Sequence, residues 1–312
     1  MSRKLIVVFG ATGNQGGSVV ASLLKNKAYA VRAVTRNPDS DKAKALAARG
    51  AQVVAADIND YKSLVKALEG AHAAFAVTDF WAMLGALGPD GAFDGEVKQG
   101  KNLANAAAAT PTLEHYVWST LPMTKNTTGG AVTVPHFDSK AYVDEYIISS
   151  LPDLAKKTTF FWAGYYATNL GSSTSLTKES GKYLWILPCS PSAATPMVGL
   201  TTANVGVFVA GILAKPEITL PSRTLQIWGE VTGGQTVFVQ KDLDDFVASF
   251  PGGPVFGKEV GLNMQFCDSG LKGWSKGDEK ILTREDLGIE TAQLVSTKQA
   301  FEMMDWSSIL NA

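Results

Sequence analysis

Apolar and polar positions alternate in blocks through the first half of the chain. Six short apolar runs have the length and the β-branched or aromatic content of buried strands, at residues 5–9, 30–35, 52–56, 73–77, 116–119 and 158–162. Stretches with helical spacing of apolar residues separate them, at residues 17–25, 41–49, 61–69, 94–109 and 139–149. Strands and helices that alternate in this way form βαβ units. The pattern predicts an α/β fold with a doubly wound parallel sheet.

The alternation weakens beyond about residue 155, and glycine and proline become dense between residues 229 and 257. Such composition favours loops around short elements over a second parallel sheet. We expect the sheet domain to span residues 1–155 and a smaller C-terminal α+β substrate domain to span residues 156–312, with segments near 185–215 able to pack back on the first domain. The apolar content of 46% is enough for a sizeable core.

A glycine-rich turn, Gly10-Ala-Thr-Gly-Asn-Gln-Gly16-Gly17, joins the first predicted strand to the first helix. Gly10 permits a tight turn, Gly13 lets the backbone approach a pyrophosphate, and Gly16 lets the helix pack close to its strand. The helix N-terminus then offers free N–H groups to that pyrophosphate. A plain structural turn is the alternative, but the position favours a dinucleotide-binding Rossmann domain. The residues predicted to bind the cofactor here are Gly10, Thr12, Gly13, Asn14, Gln15 and Gly16.

Arg36 directly follows the second predicted strand, and no acidic residue precedes it within that strand. An Asp or Glu near this position would bind the ribose 2′-hydroxyl of NAD, whereas an Arg suits the 2′-phosphate of NADP. The sequence therefore favours NADP(H) over NAD(H). As alternatives, Arg36 stacks on the adenine or is simply solvated.

Polar residues also follow the third and fourth predicted strands. Asp57 is placed to accept a hydrogen bond from the adenine amino group, or else to cap a nearby helix. Thr78 is placed beside the pyrophosphate or the nicotinamide ribose. The segment with Gly85, Gly88 and Gly91 is expected to be a loop, either a mobile flap over the site or an ordinary surface insertion.

The charge and the cysteine content exclude several classes of function. The net charge of −1, without a dense Lys/Arg block, argues against direct nucleic-acid binding. Any effect on transcription would act through another protein. Cys189 and Cys267 match no metal or redox spacing and are expected to be buried reduced thiols, and the histidines His72, His115 and His136 form no ligand pattern. No metal site is predicted.

The first predicted strand begins at about residue 5, so no signal peptide is expected, and the apolar run at 205–214 is too short to cross a bilayer. We expect a protein of the cytoplasm or the nucleus that does not contact membranes.

Four segments resemble the NmrA-like family, a branch of the atypical short-chain dehydrogenases. They are the glycine turn at 10–17, Thr-Arg-Asn-Pro at 35–38, Glu-Val-Lys-Gln-Gly-Lys at 96–101 and His-Phe-Asp-Ser-Lys at 136–140. The resemblance is specific up to about position 170 and thins out beyond it, although residues 196–198 before the stretch 204–214 also look like the family. It implies a dinucleotide-binding domain followed by a smaller domain. Some relatives are NAD(P)H-dependent reductases, and others are redox-sensing regulators.

The resemblance also suggests catalytic residues. In the main short-chain dehydrogenases a Tyr four residues before a Lys donates the proton, the Lys holds the nicotinamide ribose, and a Ser polarises the carbonyl. Lys140 matches that Lys and Ser119 can match the Ser, but His136 stands at the Tyr position. An imidazolium can serve as an acid near neutral pH. The alternatives are a structural hydrogen bond for His136, with Lys140, Tyr142, Tyr165 or Tyr166 as the proton donor.

Tyr166 and Asn169 belong to a segment that resembles the family's passage beside the nicotinamide, and both are predicted to contact cofactor or substrate, with core packing as the alternative. Ser296 and Gln299 predict a capping box at a terminal helix. The C-terminal half also carries aromatic residues that could pack in the core or line an apolar pocket: Tyr183, Trp185, Phe208, Trp228, Phe238, Phe256, Phe266 and Trp274.

These observations support two functional hypotheses. The first is an NADP(H)-dependent reductase of a small, largely apolar carbonyl, quinone or imine-like substrate, in which the cofactor supplies the hydride. The second is a catalytically silent sensor of NAD(P) that binds a protein partner. Lys140, Ser119 and the aromatic residues favour the enzyme, whereas the missing Tyr favours the sensor.

Overall fold

A seven-stranded parallel sheet forms the centre of the chain in this computed structural model, which describes residues 3–169, 175–179, 182–193, 195–220, 223–226, 236–270, 274 and 281–305. Its strands are β1 (Lys4–Val8), β2 (Tyr29–Thr35), β3 (Gln52–Ala55), β4 (Ala73–Ala76), β5 (His115–Thr120), β6 (Thr158–Trp162) and β11 (Arg223–Gln226). They lie in the order β3-β2-β1-β4-β5-β6-β11. The doubly wound parallel sheet is confirmed, and the six predicted strands agree within one residue at either end.

The strand order reverses beside β1, which pairs with β2 on one side and β4 on the other. Ligands of open α/β sheets bind at such a reversal, outside the carboxyl ends of the strands. The seventh strand, β11, was not predicted. It pairs with β6, with Arg223 opposite Thr159, although β6 ends at Trp162 and much of the C-terminal part lies between the two strands along the chain. The pattern of alternating strands and helices does not reach that far.

Helices cover both faces of the sheet. One face packs on α1 (Asn14–Leu23) and α8 (Thr201–Ala214), and the other packs on α3 (Tyr61–Leu68), α4 (Trp81–Ala108) and α6 (Pro135–Ser150). The structure also describes the shorter helices α2 (Asp41–Ala48), α5 (Thr124–Thr127), α7 (Pro152–Ala155) and α9 (Pro216–Thr219). Within the described residues, no helix combines the length and the hydropathy that crossing a membrane requires.

The segment with the three glycines is a helix and not the predicted loop. Helix α4 begins at Trp81 and is broken only at Gly88, which has a φ of 69°. Pro89 follows the break, where the first turn of a new helical segment tolerates proline. The first segment packs through Phe80 and Leu84 against Phe256. The expectation of a mobile flap is therefore wrong, because tertiary packing of apolar residues overrides the glycine content.

Helix α8 lies against α1 through an unusually close backbone contact. The backbone N–H of Gly206 donates to the hydroxyl of Ser18 at 2.8 Å, and a Cβ on Gly206 would overlap the Ser18 carbonyl oxygen. Both residues are buried. This contact holds α8 against α1.

Substituting Gly206→Ala is expected to lower the free energy of unfolding by about 1–3 kcal/mol, because the added methyl group forces the two helices apart. Urea denaturation followed by circular dichroism measures the change. Gly85→Ala is a matched control on another helix, since its Cβ would meet only Phe256 at 3.6 Å. The control is expected to be neutral or slightly stabilising. Equal stability of the two variants would contradict the close contact.

The C-terminal part is smaller and mixed, as predicted. It contains β7 (Tyr165–Tyr166) paired with β10 (Met197–Gly199), and a three-stranded sheet of β8 (Ser175–Glu179), β9 (Lys182–Leu187) and β12 (Thr236–Gln240). Helices α10 (Leu243–Ser249), α11 (Pro254–Cys267) and α12 (Thr297–Glu302) and a 3₁₀ turn (Thr291–Gln293) complete it. The central sheet continues past residue 155 through β6 and β11. The domain boundary expected at 155/156 stays a prediction. The capping box of Ser296 and Gln299 is present.

Candidate active site

A cleft of about 1400 Å³ lies at the carboxyl ends of β1, β2, β4 and β5. Its wall contains most of the residues that the sequence singled out. They are Gly10, Thr12, Gly13, Asn14, Gln15, Gly16, Arg36, Thr78, Ser119, His136, Lys140, Tyr166 and Asn169. The fold thus brings the predicted cofactor-binding and catalytic residues into one continuous space.

The glycine turn has the geometry that an anion cradle requires. Gly10 has a φ of +63°, and a Cβ there would lie 2.8 Å from Val77. A Cβ on Gly16 would overlap the carbonyl oxygen of Gly10, so helix α1 can start this close to β1 only with glycine at that position. Gly13 is the N-cap residue of α1 and provides no side-chain cap. The first N–H groups of α1 therefore remain available for a bound anion.

Arg36 is exposed at the rim of the cleft, directly after β2. Asp57, in contrast, does not line the cleft as described, and its role in binding adenine is not supported. Its carboxylate accepts from the backbone N–H and the side-chain amide of Asn59, at 2.8 and 3.0 Å. Asp60 caps α3 instead, accepting from the backbone N–H of Lys62. Asp57 closes the turn between β3 and α3, and Asn59 lines the cleft in its place.

Gln15 connects the glycine turn to two other strands. The Ser119 hydroxyl donates to Gln15 Oε1 at 2.7 Å, and Gln15 Nε2 donates to the Tyr166 hydroxyl at 2.6 Å. Burial raises the pKa of Tyr166 to about 12, the negative charge of Asp79 adds to this effect, and the bond from Gln15 opposes it. Tyr166 is therefore a neutral phenol at physiological pH. The three side chains form one hydrogen-bonded row across the floor of the cleft.

Lys140 forms an ion pair that the sequence analysis did not anticipate. Its ammonium lies 2.6 Å from Glu96 Oε1, and it also donates to the hydroxyl and the carbonyl oxygen of Thr78 at 2.9 and 3.3 Å. Glu96 is fully buried, and its second oxygen accepts from the Ser139 hydroxyl at 2.5 Å. A carboxylate can be buried in this way only with a cation and hydrogen-bond donors around it. In the sequence, the signal for this ion pair was a charged residue, Glu96, inside an apolar helical stretch.

His136 lies in the first turn of α6 and not in a loop, because Pro135 starts the helix earlier than predicted. Its backbone N–H and its Nδ1 both approach Glu259 Oε1, at 2.8 and 2.5 Å. Glu259 lies on α11 and is 2% exposed. His136 is therefore held by hydrogen bonds to Glu259, and its ring also lines the cleft. Sequence reasoning missed Glu259, which lies on a helix far along the chain from His136.

The tyrosines that are alternative proton-donor candidates differ in their position relative to the cleft. Tyr142 is 42% exposed, packs its ring on Phe93, and does not line the described cleft, so it is not a proton donor for this site. Tyr165 does line the cleft, beside Tyr166. Within the described residues, no group of three His, Cys, Asp or Glu side chains could hold a metal ion.

Both cysteines are buried free thiols, as predicted. Burial raises the pKa of Cys189 to about 12 and that of Cys267 to about 11, so both stay protonated at neutral pH.

The aromatic residues of the C-terminal half divide between core and cleft. Phe256 and Trp274 line the cleft. Phe208, Phe266 and Trp185 pack in hydrophobic clusters, whereas the side chains of Tyr183, Trp228 and Phe238 lie outside the described residues. The apolar wall of the cleft is completed mainly by residues that the sequence did not single out: Trp81, Met83, Leu87 and Phe250.

The sequence model of the NmrA-like family matches residues 2–239. The chain belongs to the NmrA-like family. Among relatives, the NmrA-like oxidoreductase notA of Aspergillus sp. (strain MF297-2) is 40% identical over 154 residues, which are 48% of this chain and 43% of notA. The oxidoreductase cpsB of Aspergillus campestris is 32% identical over 232 residues, or 69% of this chain and 66% of cpsB. The first three relatives are matched over only 41–43% of their own length.

Two solved structures resemble the whole NmrA-like chain. NmrA, a negative transcriptional regulator, matches with a TM-score of 0.67 at 20% identity, over 98% of this chain and 99% of NmrA. The Escherichia coli NADPH-dependent quinone oxidoreductase QOR2, in complex with NADPH, matches with a TM-score of 0.68 at 19% identity, over 96% and 100% of the two chains. At this level of identity the likeness shows a shared fold. One of these proteins is a regulator and the other an enzyme.

Two of the family-like segments of this NmrA-like fold meet at Lys140, which lines the cleft. Glu96 comes from the segment at 96–101, and Ser139 and Lys140 come from the segment at 136–140. The carboxylate, the ammonium and the two hydroxyls of Ser139 and Thr78 form one buried polar cluster. The segments that carry the resemblance are therefore the ones that build the site.

Proposed function

We propose that the chain binds NADP(H) in the cleft and transfers its hydride to a small, largely apolar carbonyl, quinone or imine-like substrate. One observation carries this proposal. A single cleft contains an uncapped helix N-terminus at a glycine turn, the polar side chains Ser119, His136 and Lys140, and an aromatic wall.

The glycine turn and Arg36 would hold the phosphates of the cofactor. The pyrophosphate fits the N-terminus of α1, where glycines keep side chains away from the backbone. Arg36, exposed at the rim after β2, would bind the 2′-phosphate of NADP. Related folds bind such cofactors: NmrA has been crystallised with NADP and with NAD, and QOR2 with NADPH.

Substituting Arg36→Ala is expected to weaken NADP⁺ binding by about 10- to 100-fold and to leave NAD⁺ binding unchanged. The loss corresponds to one charge-assisted hydrogen bond of about 1.5–3 kcal/mol. Isothermal titration of both cofactors into the parent and the variant measures the change. Arg49→Ala, an exposed arginine at the C-cap of α2, is the matched control. An unchanged affinity of Arg36→Ala for NADP⁺ would contradict the assignment.

The bound nicotinamide would supply the hydride, and the residues of the chain would hold it and the acceptor. Lys140 and Thr78 are placed to hold the nicotinamide ribose, since the longest bond of the ammonium, 3.3 Å to the Thr78 carbonyl oxygen, is the one that a ribose hydroxyl could replace. Tyr166 could direct its hydroxyl hydrogen toward the acceptor, because its oxygen accepts from Gln15. Ser119 donates its own hydrogen to Gln15 and so helps to fix that side chain. Asn169 lines the same region.

The wall of the cleft favours an apolar acceptor. Trp81 and Phe256 lie nearly parallel, with ring centroids 6.2 Å apart, and Met83, Leu87 and Phe250 extend the same surface. Binding an acceptor there would remove this apolar surface from water. A planar, weakly polar molecule with one carbonyl or imine group suits this wall better than a sugar or a highly charged substrate.

A cofactor-sensing regulator is the second candidate. It is favoured by the histidine at the position of the usual Tyr and by the pairing of Lys140 with Glu96. The two candidates are separated by mixing the protein with NADPH and a panel of quinones, aldehydes and cyclic imines, and following the absorbance of NADPH. Oxidation that depends on an acceptor supports the reductase. Tight NADPH binding without oxidation by any acceptor would favour the sensor.

A further inference from the structure

His136 and Glu259 form an isolated polar pair within an aromatic shell. The ring centroids of Phe80, Trp81 and Phe137 lie 5.9, 4.8 and 4.7 Å from that of His136. Glu259 Oε1 accepts from the Nδ1 and the backbone N–H of His136. These contacts fix both the rotation of the imidazole and the nitrogen that carries its first hydrogen. Such an arrangement costs free energy unless the charges on the two groups are paired.

The second ring nitrogen of His136, Nε2, is available to a molecule bound in the cleft. The ring lines the cleft, Nδ1 is occupied by Glu259, and no side chain or backbone atom of the described residues bonds to Nε2. Nε2 is also absent from the buried polar atoms that lack a partner, so it is in contact with the open space. A protonated His136 would therefore direct one N–H bond into the cleft.

The other acidic groups near the site are less suited to donate a proton. An ammonium has three N–H donors, and those of Lys140 are directed to Glu96 Oε1, to the Thr78 hydroxyl and to the Thr78 carbonyl oxygen. The pKa of Tyr166 is raised to about 12 by burial, which makes its phenol a weak acid. Tyr142 does not line the cleft. Tyr165 also lines the cleft, but a phenol is a weaker acid than an imidazolium. His136 lines the cleft as well, and no described residue bonds to its Nε2.

We infer that His136 is the proton donor of the proposed reduction and that Glu259 is its positioning residue, contributed by the C-terminal part of the chain. This inference rests on the proposed reductase function. The hydride adds to the carbon of a C=O or C=N group, and the π electrons move to the oxygen or nitrogen. That atom takes the proton from Nε2, which leaves a neutral imidazole whose Nδ1–H still donates to Glu259. Water then returns the proton to Nε2.

The position of His136 along α6 agrees with this role. It lies four residues before Lys140, so the two side chains are on the same face, about 5–6 Å apart at their Cβ atoms. Lys140 would hold the ribose, and His136 would stand one helical turn further on, between the nicotinamide end and the aromatic wall. Trp81, whose ring centroid lies 4.8 Å from that of His136 in the cleft wall, would hold the acceptor against the imidazole.

Few other charges act on His136. Glu259 is the only charged partner that bonds to it among the described residues. Lys140 and Glu96, one turn along, form a pair without net charge. Asp138 is turned to the backbone N–H groups of Thr124 and Lys125, and Asp79 lines the cleft. The charge that the His136 ring meets directly is therefore the carboxylate of Glu259.

The test compares His136→Gln and Glu259→Gln with the parent, using an aldehyde and a cyclic imine as acceptors. We expect kcat to fall by about 100-fold in His136→Gln and by about 10-fold in Glu259→Gln, with KM for NADPH unchanged. In the parent, kcat falls as the pH rises and the imidazolium loses its proton. In Glu259→Gln the loss is expected in kcat alone, because the ring of His136 is no longer held by the carboxylate. Glu259→Asp should partly restore kcat.

The controls separate this inference from the proposed function. Tyr142→Phe, on the exposed face of the same helix, should keep the parent kcat and pH profile. Titration with NADPH verifies that each variant still folds and binds the cofactor. If Glu259→Gln does not fold, the pH profile of His136→Gln decides. A parent that reduces acceptors while His136→Gln retains its kcat and pH profile overturns the inference alone. A parent that binds NADPH and reduces nothing overturns both.

Discussion

Replacing Glu96 by alanine is expected to lower the free energy of unfolding by about 3–5 kcal/mol, the cost of breaking a buried ion pair. The Glu96 carboxylate is fully buried and the Lys140 side chain is 11% exposed, so the ammonium would lose its partner without gaining much water. The hydroxyls of Ser139 and Thr78 would lose their acceptor as well. Urea denaturation of the parent and the variant measures the difference.

A double-mutant cycle provides the control for this prediction. Glu96→Ala combined with Lys140→Met removes both charges and fills part of the space, so the double variant should be more stable than Glu96→Ala alone. Asp153→Ala, which breaks the exposed pair with Lys156, should leave the free energy of unfolding unchanged. Additive losses in the cycle would show that Glu96 and Lys140 are not coupled.

Gly16→Ala is expected to weaken NADPH binding by about 100-fold. A methyl group at this position would overlap the Gly10 carbonyl oxygen, and backbone atoms would have to move to relieve the overlap. The N-terminus of α1 would then shift away from the pyrophosphate and lose about two hydrogen bonds to charged oxygens, or about 3 kcal/mol. Titration of NADPH, followed by its fluorescence, measures the change.

The neighbouring glycine is a matched control. A Cβ on Gly17 would lie 3.4 Å from the Ala11 carbonyl oxygen, an ordinary contact, and Gly17 lies within α1. Gly17→Ala should bind NADPH as the parent does and should be slightly more stable, since alanine favours the helical backbone. Equal affinities of Gly16→Ala and Gly17→Ala would contradict the proposed position of the pyrophosphate.

The central sheet could be predicted because its strands are short, apolar and separated by regular helices. The prediction failed where contacts between distant segments decided the structure. The glycines around Gly88 predicted a loop, but the packing of Phe80 and Leu84 on Phe256 makes the segment helical. Strand β11 escaped detection because its partner β6 lies far earlier in the chain. Contacts between distant segments of this kind leave no periodic signal in the sequence.

In the candidate site, too, residues with a local signal could be predicted, and partners from distant segments could not. The glycine turn and Lys140 could be found from local spacing and from the family resemblance, and both line the cleft. The partners that define the chemistry, Glu96 for Lys140 and Glu259 for His136, could not, because each is brought in from another helix. The sequence pattern also did not indicate that the carboxylate of Asp57 accepts hydrogen bonds from Asn59 in the turn that follows it.

The most direct test of the reductase is a single-turnover reaction with excess protein. NADPH carrying deuterium on one face of the nicotinamide, and then on the other, is mixed with the acceptor that the panel identifies as the fastest. Hydride transfer in a fixed cleft predicts that deuterium on one face alone slows the loss of NADPH absorbance, because only that hydrogen leaves the ring. No loss of NADPH with any acceptor, or equal rates with both labelled cofactors, would contradict enzymatic hydride transfer.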